Sequence, residues 1–179
     1  IFSINCITPC IFYKIVKYHF VENAWCYAIN REYYIKNKFK FTPGTIHEDF
    51  GLIPLIIIKA DVVNSISYLG YNYYQRQGSI MSNKNYEKTK KKVADMYFHY
   101  NYLIKEANKL DIDTTTLKSF IANSMILKIT ELNYMDYRAY LKKLKKDKVF
   151  DNILTDTIGR KIKKICLKIS PILYFKIKG

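Results

Sequence analysis

The pattern of apolar and polar positions divides the chain into two parts. After Ser79, apolar residues recur at the three- and four-residue spacing of amphipathic helices, with lysines on the opposite face. The predicted helices cover 85–110, a segment that starts at Thr114–Thr116, 134–148 and 152–168. The region 84–179 is therefore predicted to be an all-helical, basic C-terminal region.

The first 83 residues show shorter and more varied elements. Residues 1–21 fit either strands or a short helix, and one helix is expected around 30–37. The string DFGLIPLIIIKA, which starts at Asp49, is compatible with a buried helix that has Pro54 in its first turn. DVVNSIS and YLGYNYYQRQ are predicted strands. The expected fold class is α/β: a partial mixed sheet with helices over 1–83, followed by the helical region.

The charge is unevenly distributed along the chain. The net charge is +15, of which residues 1–80 carry +3 and residues 81–179 carry +12. Such a basic balance points to nucleic acid or to an anionic membrane as a partner. The C-terminal half, which holds most of the positive charge, is therefore the region expected to bind such a partner.

The cysteines and the hydropathy of the chain indicate where in the cell the protein is expected. The four cysteines, Cys6, Cys10, Cys26 and Cys166, do not have zinc-site spacing and are interpreted as free thiols. The apolar run 51–58 is shorter than the ~18–20 residues that cross a bilayer, and no signal-peptide pattern is present. A cytoplasmic protein is predicted, with the inner face of the cell membrane as a peripheral location. Because the first residue is Ile, the chain is expected to be a fragment of a longer protein.

The highest local density of carboxylates lies directly before the most apolar segment. In GTIHEDFGLIPL (44–55), Glu48 and Asp49 follow His47 and precede the aliphatic run. A carboxylate at a helix N-terminus is suited to general-base catalysis on a substrate hydroxyl. The alternative is that both acids only cap the helix. His47 could ligate a metal or contact a phosphate, or it could be an ordinary surface histidine.

An ordered set of residues around these acids resembles the C-terminal half of family 2 glycosyltransferases. Those enzymes are inverting, use nucleotide sugars, have the GT-A fold and act in polysaccharide synthesis. The resemblance covers about residues 20–83. The matching positions are Trp25, Arg31, Phe41, Gly44, Glu48, Asp49, Tyr73, Tyr74, Arg76 and Ser79.

The resemblance implies a role for each matching residue. Asp49 matches the acid that deprotonates the acceptor hydroxyl, and Glu48 would orient it or hold the acceptor. The donor diphosphate is assigned to Arg76 and Ser79, since a guanidinium pairs bidentately with phosphate oxygens. Binding of the acceptor sugar is assigned to Trp25, Tyr73, Tyr74 and His47. The QRQGS string at 75–79 lacks the QxxRW motif of processive synthases, which favours an enzyme that adds one sugar at a time.

The donor-binding half expected from the family is missing from this chain. Its DxD acid pair would hold a divalent metal, Mg²⁺ or Mn²⁺, together with the nucleotide sugar. The only DxD here, Asp111–Asp113, comes after the Glu-Asp pair and is better interpreted as a helix start. No metal site is therefore assigned to this chain, and it is expected to be inactive without the missing half.

The predicted function is transfer of a sugar from a nucleotide-sugar donor to a glycan or lipid-linked acceptor in bacterial cell-surface polysaccharide synthesis.

The segment 159–179 pairs lysines with apolar residues and suits contact with an anionic membrane surface, or it is a packed helix with a solvated lysine face. Two other functions remain open: a non-catalytic scaffold and a basic nucleic-acid-binding module. Nucleic acid is the less favoured partner, because arginine is scarce after Arg76 and no binding motif is present.

Overall fold

The computed structural model describes residues 7–16, 20–66, 70–74, 85–172 and 174. Pro171, Ile172 and Tyr174 are helical, and seven further α-helices have both ends in these ranges. They are α1 (Pro9–Val16), α2 (Arg31–Lys36), α3 (Glu48–Ile58), α4 (Tyr86–Ala107), α5 (Thr115–Lys128), α6 (Tyr134–Lys146) and α7 (Ile158–Ile169). The chain forms two compact units, one over Ile1–Thr114 and one over Thr115–Gly179.

The predicted α/β fold is wrong for the part of the chain that the structure describes. Its only β-type pairing is one isolated antiparallel bridge between Ile7 and Val63. The described part of the predicted strand DVVNSIS, 61–66, makes only this bridge within the described ranges. The described part of the Tyr-rich strand, 70–74, is exposed and has no pairing partner in the described ranges. A strand needs a neighbour along its length to satisfy its backbone N–H and C=O groups, and the described residues provide only the single bridge at Val63.

The predicted helices are found, with boundaries that differ by a few residues. Local capping explains why several of them begin where they do. The side chains of Asn30, Asn85, Asn133 and Thr157 each accept a backbone N–H from the first turn of the following helix. Such a cap contributes about 1 kcal/mol because it satisfies a donor that lacks a partner within the helix.

The centre of the first unit is α3. All nine of its residues from Phe50 to Ile58 are buried, and it packs against α4. Burial of each large aliphatic side chain stabilises the fold by roughly 1.5–3 kcal/mol. Two tyrosines tie the N-terminal helices to α3: the hydroxyl of Tyr13 donates to the carbonyl of Pro54 at 2.9 Å, and that of Tyr33 donates to the carbonyl of Ile56 at 2.6 Å.

One detail of α3 differs from expectation. Pro54 lies inside the helix and not in its first turn. A proline there removes one backbone hydrogen bond. The surrounding packing holds the helix together in spite of this, since every residue adjacent to Pro54 in α3 is buried.

The second unit has its own core between α5, α6 and the 3₁₀ turn Val149–Asn152. Its largest fully buried side chains include Leu117, Ile121, Met125, Ile129, Leu141, Leu144 and Phe150. Ser119 is buried among them, and its hydroxyl accepts the backbone N–H of Leu154 at 2.9 Å. This bond satisfies a polar group that would otherwise be costly to bury.

The helix α4 belongs to the first unit, although the sequence boundary at 83/84 placed it in the C-terminal region. The predicted boundary marks the end of a catalytic region, and the division of the chain into compact units does not test where such a region ends. In the described ranges, no helix combines the length and the apolar character needed to cross a bilayer.

Candidate functional site

The loop before Glu48 is held by three residues on one face of α4. Lys91 donates to the carbonyl of Gly44 at 2.9 Å, and Asp95 accepts the backbone N–H of Ile46 at 2.8 Å. Nε2 of His99 lies 3.1 Å from Oγ1 of Thr45. The residues 91, 95 and 99 are four apart, so they lie one above another on the helix surface.

Further bonds link the residues that make these three contacts. Lys91 and Asp95 form an ion pair at 2.6 Å in which the carboxylate side chain is 15% exposed. The hydroxyl of Thr45 donates to the carbonyl of Thr42 at 2.8 Å, which closes the loop on itself. The loop therefore has a defined shape up to the start of α3.

Two residues in the loop adopt left-handed backbone conformations. Gly44 has φ +74° and His47 has φ +61°. The first is easily accommodated by glycine, whereas the second is uncommon for a residue with a side chain. His47 is the residue before α3, so its conformation turns the chain into the helix that starts with Glu48.

The candidate base Asp49 is fixed by a bond to a distant segment. Its Oδ2 accepts the backbone N–H of Ala24 at 3.0 Å. Ala24 opens the 3₁₀ turn that carries Trp25, so this bond joins the first turn of α3 to the turn with the only tryptophan of the chain. The other carboxylate oxygen of Asp49 has no hydrogen-bond partner among the described residues. Glu48, its neighbour, is exposed.

An exposed aromatic stack adjoins this bond. The ring of Trp25 stacks on that of Tyr71, with centroids 4.6 Å apart and planes at 18°, and on that of Tyr73, at 5.7 Å and 20°. All three rings are 44–56% exposed. We call Trp25, Tyr71 and Tyr73 the aromatic platform. These near-parallel rings keep about half of their surface in contact with solvent, which a core tyrosine or tryptophan does not.

The remaining sequence-predicted site residues do not belong to the aromatic platform. Tyr74 is 86% exposed and lies outside the platform. His47 is half-buried at the start of α3. Arg76 and Ser79, the residues assigned to the donor diphosphate, lie outside the described residues.

Two residues of the candidate site were not among those predicted from the sequence. Tyr71 belongs to the platform, and the alternation of Tyr71 with Tyr73 on an extended segment was the signal for it. His99, to which the sequence assigns no role in the site, is buried and contacts the loop before α3. The four-residue spacing of Lys91, Asp95 and His99 was the signal in this case.

His99 is also closely packed against α3. A Cβ atom built on Gly51 would lie 2.2 Å from Nδ1 of His99, so the histidine ring occupies the space that a glycine leaves open. Burial lowers the pKa of His99, and the nearby carboxylates of Asp95 and Glu48 partly oppose that effect. The neutral ring is therefore the favoured form.

The described residues contain no cluster of three or more His, Cys, Asp or Glu side chains able to hold a metal ion. The Asp111–Asp113 pair lies in the bend before α5, which begins two residues later at Thr115.

Comparison with known proteins found no family model, no curated protein and no solved structure that matches this chain. Function is therefore inferred from the geometry around Asp49 together with the sequence resemblance.

Proposed function

We propose that this chain provides the acceptor-binding side of an inverting glycosyltransferase that uses a nucleotide sugar. The observation that carries the proposal is the hydrogen bond between Asp49 Oδ2 and the N–H of Ala24. It places a carboxylate with one uncommitted oxygen beside the turn that holds the platform residue Trp25. A carboxylate next to exposed aromatic rings is an arrangement suited to a sugar hydroxyl.

Each part of the arrangement has a task in the reaction. The apolar C–H face of an acceptor sugar packs on an aromatic ring of the platform, and a hydroxyl of that sugar lies within about 2.6–3.2 Å of Asp49. Asp49 removes the hydroxyl proton as the acceptor oxygen attacks the anomeric carbon of the donor. The bond from that carbon to the diphosphate oxygen breaks, and the nucleoside diphosphate leaves with the electron pair.

Glu48 is the second carboxylate of the site. Because it is exposed at the start of α3, it can orient the acceptor through a further hydroxyl. His47 can serve the same acceptor as a hydrogen-bonding group. On the donor side, Arg76 and Ser79 would neutralise the charge that develops on the diphosphate.

The acceptor class implied by the sequence resemblance is a glycan or lipid-linked sugar of a bacterial cell-surface polysaccharide. The proposal assigns no step to a metal, since Mg²⁺ or Mn²⁺ is expected only with the donor-binding half.

A non-catalytic scaffold is the second candidate. Asp49 caps the N–H of Ala24, and a purely structural carboxylate does the same. In the enzyme, the second carboxylate oxygen of Asp49 takes the proton of the acceptor hydroxyl. In the scaffold, that oxygen has no such role. Two results would favour the enzyme: binding of a sugar at the platform, and a substitution of Asp49 that abolishes sugar transfer but leaves the structure intact.

The test uses Trp25 as a probe, because it is the only tryptophan and belongs to the platform. Its fluorescence is recorded while the chain is titrated with a panel of oligosaccharides and sugar phosphates. We expect one class of glycan to change the emission and Tyr73→Ala to weaken its binding by about tenfold, a loss of about 1.4 kcal/mol.

Tyr74→Ala is the matched control, because this neighbouring tyrosine is more exposed and lies outside the platform. It should change the affinity by less than about twofold. Absence of any response to carbohydrate, or equal loss in both variants, would contradict the proposal.

A further inference from the structure

The helix α7 presents a row of apolar side chains to solvent. Ile158, Ile162, Ile165 and Ile169 are 55–78% exposed. At 3.6 residues per turn, these four positions fall within an arc of about 60°. The opposite side of the helix carries Leu167, which is fully buried. One side of α7 therefore packs into its own unit, while the other displays what we call the isoleucine stripe.

Positive charge lies along one edge of the stripe. The helix contains no acidic residue and five basic ones, namely Arg160, Lys161, Lys163, Lys164 and Lys168. By the same helical geometry, Lys161 and Lys168 lie along one edge of the stripe, and both are exposed.

The other lysines anchor the helix. Lys163 donates to Oδ1 of Asn123 at 2.6 Å, and Lys164 donates to the carbonyls of Asp151 and Ile153 at 2.6 and 3.1 Å. These acceptors are neutral, so they leave the positive charge of the helix in place. Two acids of the unit pair with α7: Asp151 with Lys168 at 2.5 Å, and Asp156 with Arg160.

Even with these pairs, the second unit is strongly basic. Residues 115–179 hold 15 lysines and arginines against 5 acids, a net charge of +10. A partner for the stripe must therefore offer both an apolar environment and negative charge.

We propose that the isoleucine stripe of α7 binds the surface of an anionic lipid bilayer. The helix lies in the plane of the interface, with its isoleucines among the acyl chains and its lysines at the lipid phosphates. Its 12 residues span about 18 Å, at 1.5 Å per residue, and it lies on the membrane without crossing it. This inference does not depend on the proposed function.

Other occupants fit the stripe less well. A nucleic-acid backbone would satisfy the lysines but offers no environment for four exposed isoleucines. A second copy of the chain would cover the isoleucines but would bring two strongly basic surfaces together. A bilayer that contains anionic lipid satisfies both requirements.

The experiment is co-sedimentation of the full chain with vesicles of phosphatidylglycerol and phosphatidylcholine, compared with vesicles of phosphatidylcholine alone. We expect binding to the anionic vesicles that weakens as salt is added. The double variant Ile162→Gln/Ile165→Gln should lower the partition coefficient by about tenfold or more, because it removes apolar contact from the centre of the stripe.

A matched control removes two exposed isoleucines from the first unit. Ile66→Gln/Ile112→Gln replaces side chains that are 76% and 45% exposed, and binding should stay within about twofold of the unmodified chain. Circular dichroism verifies that both double variants keep the helical content and melting temperature of the parent.

Three results would overturn the proposal. The first is absence of sedimentation with anionic vesicles at low salt, and the second is an equal loss in both double variants. The third is a dimer, detected by sedimentation velocity, that Ile162→Gln/Ile165→Gln dissociates, since the stripe would then be an interface between two copies.

Discussion

The carboxylate of Asp95 accepts the backbone N–H of Ile46 at 2.8 Å, across 49 positions of sequence. This bond connects the middle of the longest helix to the loop that leads into Glu48 and Asp49. With the bonds made by Lys91 and His99, it makes α4 the support on which the candidate site rests. Residues far from the acids in sequence therefore decide where the acids lie.

Removal of the Asp95 carboxylate should loosen this support. Asp95→Ala deletes the acceptor for Ile46 and the ion pair with Lys91, so we expect the free energy of unfolding to fall by about 1.5–3 kcal/mol. Glu87→Ala is the control on the same helix, because Glu87 is exposed and pairs only with the exposed Lys90 among the described residues. Its cost should be below about 1 kcal/mol. Urea unfolding followed by Trp25 fluorescence measures both, and similar losses would contradict the role assigned to Asp95.

Two glycines should respond in opposite directions to the same substitution. Gly51→Ala places a methyl group 2.2 Å from Nδ1 of His99, and overpacking of this kind costs about 1–3 kcal/mol. Gly159→Ala in α7 meets open space and should stabilise its helix by up to about 1 kcal/mol. Circular dichroism during thermal unfolding compares the two variants.

The same contact can be tested by a double-mutant cycle. His99→Ala removes the ring that the new methyl group would meet, so Gly51→Ala should cost less in that background than in the parent. Additive effects would show that the methyl group clashes with something other than His99.

The stability of the first unit should depend on the protonation of His99. Burial lowers the pKa of His99 in the folded state below its usual value, so the folded chain binds fewer protons than the unfolded one in that range. Stability is therefore fully present above about pH 6.5 and is lost as the pH falls from there towards the folded pKa. Asp95 and Glu48, which face the ring, reduce this loss without reversing it.

His99→Gln should flatten this dependence. Unfolding free energies between about pH 5 and 8 measure it. Ile57→Val is the control, since it removes a buried methyl group at a cost of about 0.5–1.5 kcal/mol but leaves His99 in place. Its curve should run parallel to that of the parent. A parent curve that rises towards low pH would contradict the assignment.

Catalysis and structure at Asp49 can be separated by two substitutions. Asp49→Asn keeps an oxygen that can accept the N–H of Ala24 but removes the base, whereas Asp49→Ala removes both. In the complete enzyme, each should lower turnover by about 10²-fold or more. Asp49→Ala should also lower the free energy of unfolding by about 1–3 kcal/mol, whereas Asp49→Asn should lower it only by the lost charge at the helix N-terminus, about 0.3–1 kcal/mol.

The measurement for Asp49 is release of nucleoside diphosphate in a transfer assay, with unfolding followed separately. Nucleotide-sugar binding should be nearly unchanged in both variants. Full turnover by Asp49→Asn would remove Asp49 from the mechanism and favour the scaffold.

The sequence by itself determined the helices after residue 85. Their apolar spacing and their asparagine and threonine caps are local signals, since helix hydrogen bonds join residues four apart. It also located α3 and the two acids at its first turn. The strand assignments failed over their described parts, 61–66 and 70–74, because a strand requires a partner, which the pattern of DVVNSIS and YLGYNYYQRQ does not supply.

Only the tertiary structure decided how the candidate site is assembled. The bonds from Asp95 to Ile46, from Asp49 to Ala24 and from His99 to Thr45 join residues 25 to 54 positions apart. Such contacts depend on how the helices pack, which no local pattern encodes. The exposure of the isoleucine stripe was decided in the same way: the sequence showed that α7 is amphipathic, but only the burial of Leu167 showed which side of it faces solvent.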